Sequence, residues 1–287
     1  MKKFPVLLLV LVLISHYGIA QSWHAGIFLG ASNYSGDLAE KRIDFKYTGF
    51  SAGLMIKRDI NPHLTLRLGL YYGRVSGADS TNSAKDLQAR NLSFRSPIWE
   101  GSLIAEGNLL DIEETGFTPY VFAGVGLFSF YPTTRDAAGN TIKLRRLSTE
   151  GEGLPQYPDR SMYNLVAVSI PFGIGFKWMV SERIMMGVEV GLRKTFTDYI
   201  DDVSKTYVDQ NTLLYERGAT AAQFAYRGDE VTKNNTPGTY PPDGTVRGNP
   251  KQKDWYSFSG LTVTYRFGSK NGYGHWGKQK VSSCPKF

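Results

Sequence analysis

Three things are scarce in this chain of 287 residues: cysteine, of which Cys284 is the sole example, histidine, present four times, and long apolar runs. One cysteine excludes an internal disulfide, and with so few histidines no Cys/His spacing of a zinc site is present. Beyond the first twenty residues nothing is continuously apolar for the ~20 residues a membrane helix requires, so helical spans are excluded. No Gly-x-Ser-x-Gly segment occurs, which removes the nucleophile elbow of the α/β-hydrolases. Charge of one sign is not abundant either. Once Lys2 and Lys3 leave with the leader described next, 31 Lys and Arg face 26 Asp and Glu, a net +5. That is too modest to imply nucleic acid as a partner.

What is present is an export signal followed by strand patterning. Lys2 and Lys3 precede an apolar run from Val6 to Ile14, and Gly18-Ile19-Ala20 forms a small-residue cleavage site before Gln21. Residues 1–20 are therefore expected to be a secretory signal peptide, too short to cross a membrane as an anchor. No cysteine follows the apolar run, so a lipoprotein is not expected.

From Trp23 to Phe267 the chain shows about eight segments in which apolar residues alternate with small or polar ones. The clearest is Val168-Ser169-Ile170-Pro171-Phe172-Gly173-Ile174-Gly175-Phe176-Lys177-Trp178. Strand side chains point to opposite faces with a period of two, so one face is oily and the other small and partly charged. A soluble sandwich would turn the second face to water; lipid outside and a polar interior fit better. The expected fold is an all-β, eight-stranded antiparallel up-and-down transmembrane barrel. In the segment following Leu64 the outward residues are Leu64, Leu66, Leu68, Leu70 and Tyr72, while Thr65, Arg67 and Gly69 face in. The segment Pro119–Phe128 has an ambiguous phase, because Tyr120 and Phe122 share a face with Gly124 and Gly126.

Connector lengths set the topology. Residues 59–63, 109–117 and 180–183 are short turns, whereas about 32–48, 74–95, 129–166 and 197–254 are long and polar. In this class short turns face the periplasm and long loops the exterior, so residues 21–267 are expected to form a barrel in the cell outer membrane with both termini in the periplasm. Aromatic girdles are expected from Trp23, Trp178, Tyr265 and Phe267 at the periplasmic rim, and from Trp99, Phe196, Trp255 and Tyr256 near the outer rim.

Eight strands enclose only enough room for side chains. The inward Lys57, Arg67, Lys177, Arg193 and Arg266 meet inward Glu100, Glu106 and Glu189, which predicts a packed ion network rather than a pore. His16 lies in the leader, His24 and His63 near the periplasmic side and His275 in the tail. None falls in an outer loop, where barrel hydrolases carry a His with Asp or Ser, so neither catalysis nor a cofactor is expected. The acidic cluster Asp198-Tyr199-Ile200-Asp201-Asp202 lacks the spacing and central Gly of an EF-hand; it reads as a solvated rim capping a turn, with Ca²⁺ binding as the alternative.

Several blocks carry a family resemblance: Tyr34-Ser35-Gly36-Asp37-Leu38, Pro119 to Gly126, Leu147 to Leu154, Ile170 to Phe176, Thr195 to Ser204, and Arg247 to Tyr256. The Thr-Phe-Thr-Asp-Tyr and Arg-Gly-Asn-Pro runs, in that order, are the most specific. On these residues the chain resembles the PorG family, the outer-membrane barrel of the type IX secretion system. The resemblance implies a non-enzymatic component that anchors a periplasmic ring of the lipoprotein PorK and its partner PorN to the outer membrane. Strand periodicity itself shows only a narrow exported barrel.

The tail, residues 268–287, suits a docking role in the periplasm. Lys270, Lys278, Lys280 and Lys286 occur without any Asp or Glu, interleaved with Tyr273, Trp276 and Phe287. It is expected either to order against a partner or to lie as a disordered basic tail near anionic lipid. A disulfide through Cys284 must be intermolecular; a bond to a ring subunit, self-dimerisation and an idle thiol all stay open. The alternative to a ring anchor is a passive small barrel for adhesion or envelope stabilisation.

Overall fold

The computed structural model describes residues 22–39, 45–231 and 238–267. Eight strands form the wall: β1 (Trp23–Ser35), β2 (Gly49–Asn61), β3 (Leu64–Ala78), β4 (Ser93–Asn108), β5 (Phe117–Phe130), β8 (Val166–Met179), β9 (Ile184–Thr195) and β10 (Trp255–Phe267). A short hairpin, β6 (Thr133–Arg135) and β7 (Thr141–Lys143), extends the outer end of β4.

All wall pairings are antiparallel, in the order β3-β2-β1-β10-β9-β8-β5-β4, and the β3–β4 pairing closes the ring. The seam between the first and last strands runs in unbroken register from Trp23 opposite Phe267 to Ser35 opposite Trp255. Closure leaves the wall no free edge, as hydrocarbon surroundings demand of every backbone N–H and C=O.

The period-two pattern sorts side chains as the hydropathy dictates. On β3, Leu64, Leu66, Leu68 and Leu70 are exposed on the outer face, whereas Thr65, Arg67 and Tyr71 are buried inside. The same holds around the ring, for example Leu54 and Ile56 on β2 and Val121, Val125 and Leu127 on β5. Aromatic side chains border this belt. Trp23, Tyr265 and Phe267 lie exposed at the short-turn end, and Trp99 packs against Tyr72 (ring centroids 4.9 Å apart) towards the loop end. Tyr256 departs from the sequence reading: it is buried and faces the lumen, as its even position on β10 requires.

The phase of β5 is resolved in favour of the aromatics pointing inward, with Tyr120 and Phe122 buried. Glycines opposite make the room. A Cβ at Gly173 or Gly191 would come within 2.7 or 2.9 Å of the Phe122 ring. Aromatic rings and facing glycines thus fill one narrow interior together.

The wall strands are 12 to 16 residues long. About 9–11 residues suffice to cross the hydrocarbon, so the barrel projects past it, and most of the excess lies at the loop end. There β1, β3 and β4 run further than alternation indicated, to Ser35, to Ala78 and from Ser93. Residues 196–254 contain helices Gln210–Arg217 and Ala219–Ala225, the first capped by the Asp209 carboxylate accepting from the Thr212 amide. None of these helices, and none elsewhere among the described residues, is long and apolar enough to cross a membrane.

Candidate functional site

Seven of the eight inward charges read from the sequence converge in the lumen. The Glu106 carboxylate takes Lys57 Nζ at 2.8 Å, Lys177 Nζ at 3.1 Å and Arg67 Nε at 3.3 Å. Arg67 Nη1 donates to Glu189 Oε2 at 2.6 Å, and Tyr120 donates to the same oxygen at 2.8 Å. Nearer the loops, Arg193 Nε donates to Glu100 Oε2 at 3.2 Å and Tyr256 adds a 2.6 Å hydrogen bond to that oxygen. Arg67 and Arg193 stack on Phe122 and Phe258, 4.9 and 4.5 Å from the ring centroids. β3 and β9 are diametrically opposite in the ring, as are β4 and β10, so the Arg67–Glu189 and Tyr256–Glu100 contacts bridge the whole lumen.

The eighth charge stands apart. Arg266 pairs with Glu113 of the β4–β5 turn at the short-turn rim, because its place near the end of β10 lies below the network. His24 Nε2 lies 2.6 Å from Asp59 Oδ2 and 3.0 Å from Ser22 Oγ, while Thr65 Oγ1 donates to the other Asp59 oxygen at 2.7 Å. Both neighbours of His24 meet the same ring nitrogen, whereas a Ser–His–Asp relay needs one on each. The docking residues read from the tail, Lys270, Trp276, Lys278, Lys280 and Cys284, lie outside the described residues.

Above the network the loops seal the mouth. One apolar core continues from the lumen residues Phe28, Tyr71, Phe128 and Phe258 through Phe94 at the outer end of β4 into the loop residues Leu38, Leu144, Ile200, Val203 and Phe224. The acidic cluster lies inside this cap, so its reading as a solvated rim is corrected: Asp198, Asp201 and Asp202 are each no more than 2% exposed. Their oxygens bind protein. Asp202 accepts from Thr149 at 2.7 Å and Tyr163 at 2.5 Å; Asp198 accepts from Ser204 Oγ at 2.7 Å. Among the described residues no three His, Cys, Asp or Glu side chains come together as a set that could hold a metal ion.

Tyr34 Oη lies 2.7 Å from both Asp201 Oδ2 and Asp254 Oδ1. A phenol has one proton to give, so the second carboxyl must itself be protonated and donate back. Burial, followed by mutual repulsion with Asp254, pushes the Asp201 carboxyl well above the usual carboxylate range; burial raises Asp254 likewise. Burial also lifts Asp198 to about 7, and burial with repulsion from Asp202 and Glu150 lifts Glu152 to about 8.

Two cations to which the sequence assigned no contact, Arg247 and Arg90, hold the cap together. Arg247 Nη1 donates to Glu150 Oε1 at 2.9 Å and to the Asp202 carbonyl at 2.7 Å. Glu150 also accepts from the amides of Ser204 and Lys205, both at 2.9 Å. Arg90 forms a bidentate pair with Asp79, Nε and Nη2 each 2.7 Å from an oxygen. Four blocks that carry the family resemblance therefore meet here, through Tyr34, Glu150, Asp201 with Asp202, and Arg247 with Asp254.

A closed ring of eight antiparallel strands, apolar outside, girdled by aromatics and polar within, is a β-barrel of the outer-membrane class. Residues 2–143, a little under half of the chain, match a family described as a domain of unknown function, DUF6089. No curated protein matches. Among solved structures, Ail of Yersinia pestis, determined with the heparin analogue sucrose octasulfate, is similar over 87% of this chain and all of its own, at 8% identity and TM-score 0.41. Neisserial surface protein A matches over the same shares at 10% identity and TM-score 0.42. A major outer membrane protein of Thermus thermophilus does so at 14% identity and TM-score 0.40. At such scores and identities these likenesses carry no functional inference.

Proposed function

We propose that this protein is a non-enzymatic outer-membrane component of the type IX secretion system, anchoring a periplasmic ring of PorK and PorN. The observation that carries the reading is the doubly closed interior. Ion pairs bridge the lumen, and a packed cap covers one mouth. A lumen crossed by ion pairs and covered at one mouth suits a protein that holds others in place better than one that conducts. The resemblance of the blocks around the cap supports the particular assembly.

In this reading the short-turn end faces the periplasm, with β1 starting and β10 ending there side by side. The basic, aromatic residues 268–287 follow Phe267 in the chain and would supply the docking surface, with Cys284 as the thiol that would bond a ring subunit. The test is affinity purification of the tagged barrel from native membranes. PorK and PorN should be recovered with it, and recovery should fall when 268–287 is deleted while the barrel stays heat-modifiable. A full-length barrel that brings neither ring protein would refute the anchoring role. An unchanged yield after deletion would instead move the docking surface to the short turns. A band shift on non-reducing electrophoresis, lost in Cys284→Ser, would identify the disulfide.

Adhesion is the second reading, favoured by the cap's outer surface, where Tyr215 is 89% and Val246 74% exposed. Recovery of ring proteins separates the two.

A further inference from the structure

On the outward face of β3, five side chains from Leu64 to Tyr72, spanning nine residues of strand, make up the apolar belt, and Arg74 follows at the next outward position. The neighbouring strand repeats this: outward Trp99 stands opposite Tyr72, Pro97 opposite Arg74, and Arg95 opposite Ser76. Both arginines are exposed. Nine residues are about the length that crosses hydrocarbon, so both guanidinium groups stand where lipid headgroups begin.

They line a shaped recess. An open cleft of about 400 Å³ is bounded by Lys46, Tyr47, Thr48, Phe50, Arg74, Ser76 and Arg95. A second cleft of about 240 Å³ shares Tyr47, Ser76 and Arg95 and adds Arg135 with the hydroxyls of Ser93, Thr133, Thr134 and Thr141. Among the described residues the joint lining holds four cations and no carboxylate. The backbone beneath is pinned: Ser32 Oγ donates to the Arg74 carbonyl at 2.7 Å and Thr133 Oγ1 to the Arg95 carbonyl at 2.8 Å. Gly49 lets the 45–47 turn close over the site, since a Cβ there would collide with the Arg74 carbonyl oxygen.

We propose that this recess binds the phosphorylated sugar headgroup of a lipid in the leaflet at the loop end. The cations would hold phosphate through charge-assisted hydrogen bonds and the hydroxyls would face the sugar, while acyl chains would lie down the Leu-rich face of β3. Continuity with the apolar belt favours a lipid over a free anion. The site is independent of the anchoring role.

The test uses the full-length protein in neutral maltoside detergent, with native mass spectrometry counting bound molecules. Probes are a bisphosphorylated, acylated glucosamine disaccharide, phosphatidylcholine and inorganic phosphate. One bisphosphorylated lipid should bind per barrel and phosphatidylcholine should not compete. The Arg74→Gln/Arg95→Gln variant should bind about tenfold or more weakly, and Arg146→Gln, on a different part of the loops, should bind as the parent does. Should the double variant fail to fold, Lys46→Gln/Arg135→Gln gives the same comparison. Equal binding by parent and recess variant overturns the proposal. So does full displacement by inorganic phosphate at millimolar concentration, which would mark a free-anion site.

Discussion

Arg67 and Glu189 join opposite walls of the barrel, Nη1 to Oε2 at 2.6 Å, with both side chains out of contact with solvent. Such a pair is held by geometry more than by net Coulombic gain, because desolvating both ions costs about as much as their attraction returns. Removing one partner is another matter, since the survivor keeps its burial and loses its compensation.

Arg67→Met should therefore lower barrel stability by about 3–5 kcal/mol. The urea midpoint of the heat-modifiable band measures this. The double variant Arg67→Met/Glu189→Leu should recover most of the loss, and a double variant as unstable as the single one would contradict the pairing argument.

The crossed lumen also predicts electrical silence. In planar bilayers the purified protein should give no stepwise conductance, because Arg67–Glu189 and Tyr256–Glu100 each span the interior. Arg67→Gly/Arg193→Gly, which removes the two largest fully buried side chains among the described residues, should produce small openings if it inserts. Conductance in the parent would refute a filled lumen.

Packing supplies a third test. Gly173→Val drives atoms into the Val190 carbonyl oxygen and against the Phe122 ring, from which a Cβ alone would lie 2.7 Å away. Overpacking of this kind costs about 1–3 kcal/mol or more. Semi-native electrophoresis should show slower or incomplete folding, and Phe122→Ala in the same chain should relieve only the part due to the ring, since the clash with the Val190 carbonyl persists.

The cap should loosen as pH rises. In the folded cap, burial favours the protonated carboxyls of Asp198, Asp201, Asp202, Glu152 and Asp254, with Asp202 at about 6, Asp198 at about 7 and Glu152 at about 8. Unfolded carboxyls titrate near ~4, so this contribution is complete below that value and is lost as pH climbs towards 8. Arg247 and Lys253 attract the carboxylates nearby and blunt the fall without reversing it. Hydrogen-exchange protection factors at residues 198–204 should drop between pH 5 and 8, and Asp201→Asn should flatten the profile. Protection that rises with pH would contradict the shared-proton reading of Tyr34, Asp201 and Asp254.

The wall was legible in the sequence because its code is local: Leu64 to Tyr72 alternate, and alternation alone assigns each side chain to lipid or lumen. The pairing of lumen charges followed from the same parity plus the narrowness of eight strands. Arg266 escaped that logic because parity fixes a face but not a height, and its height brings it to Glu113. β5 stayed ambiguous until the partner glycines on β8 and β9 were known to face Phe122. The cap was hidden altogether. Tyr34 is 167 and 220 positions from its two carboxyl partners, and no periodicity within a loop encodes a contact of that separation.

The seam has a mechanical consequence. Thirteen residue pairs, Trp23–Phe267 to Ser35–Trp255, join the ends of the ring, and both strands emerge at the same point of the rim. A tug on the segment after Phe267 along the strand axis would strain all thirteen together in shear, whereas a sideways tug would unzip them singly from the Trp23–Phe267 end. A tether attached there holds best when the force follows the tilted axis of the last strand rather than the plane of the membrane.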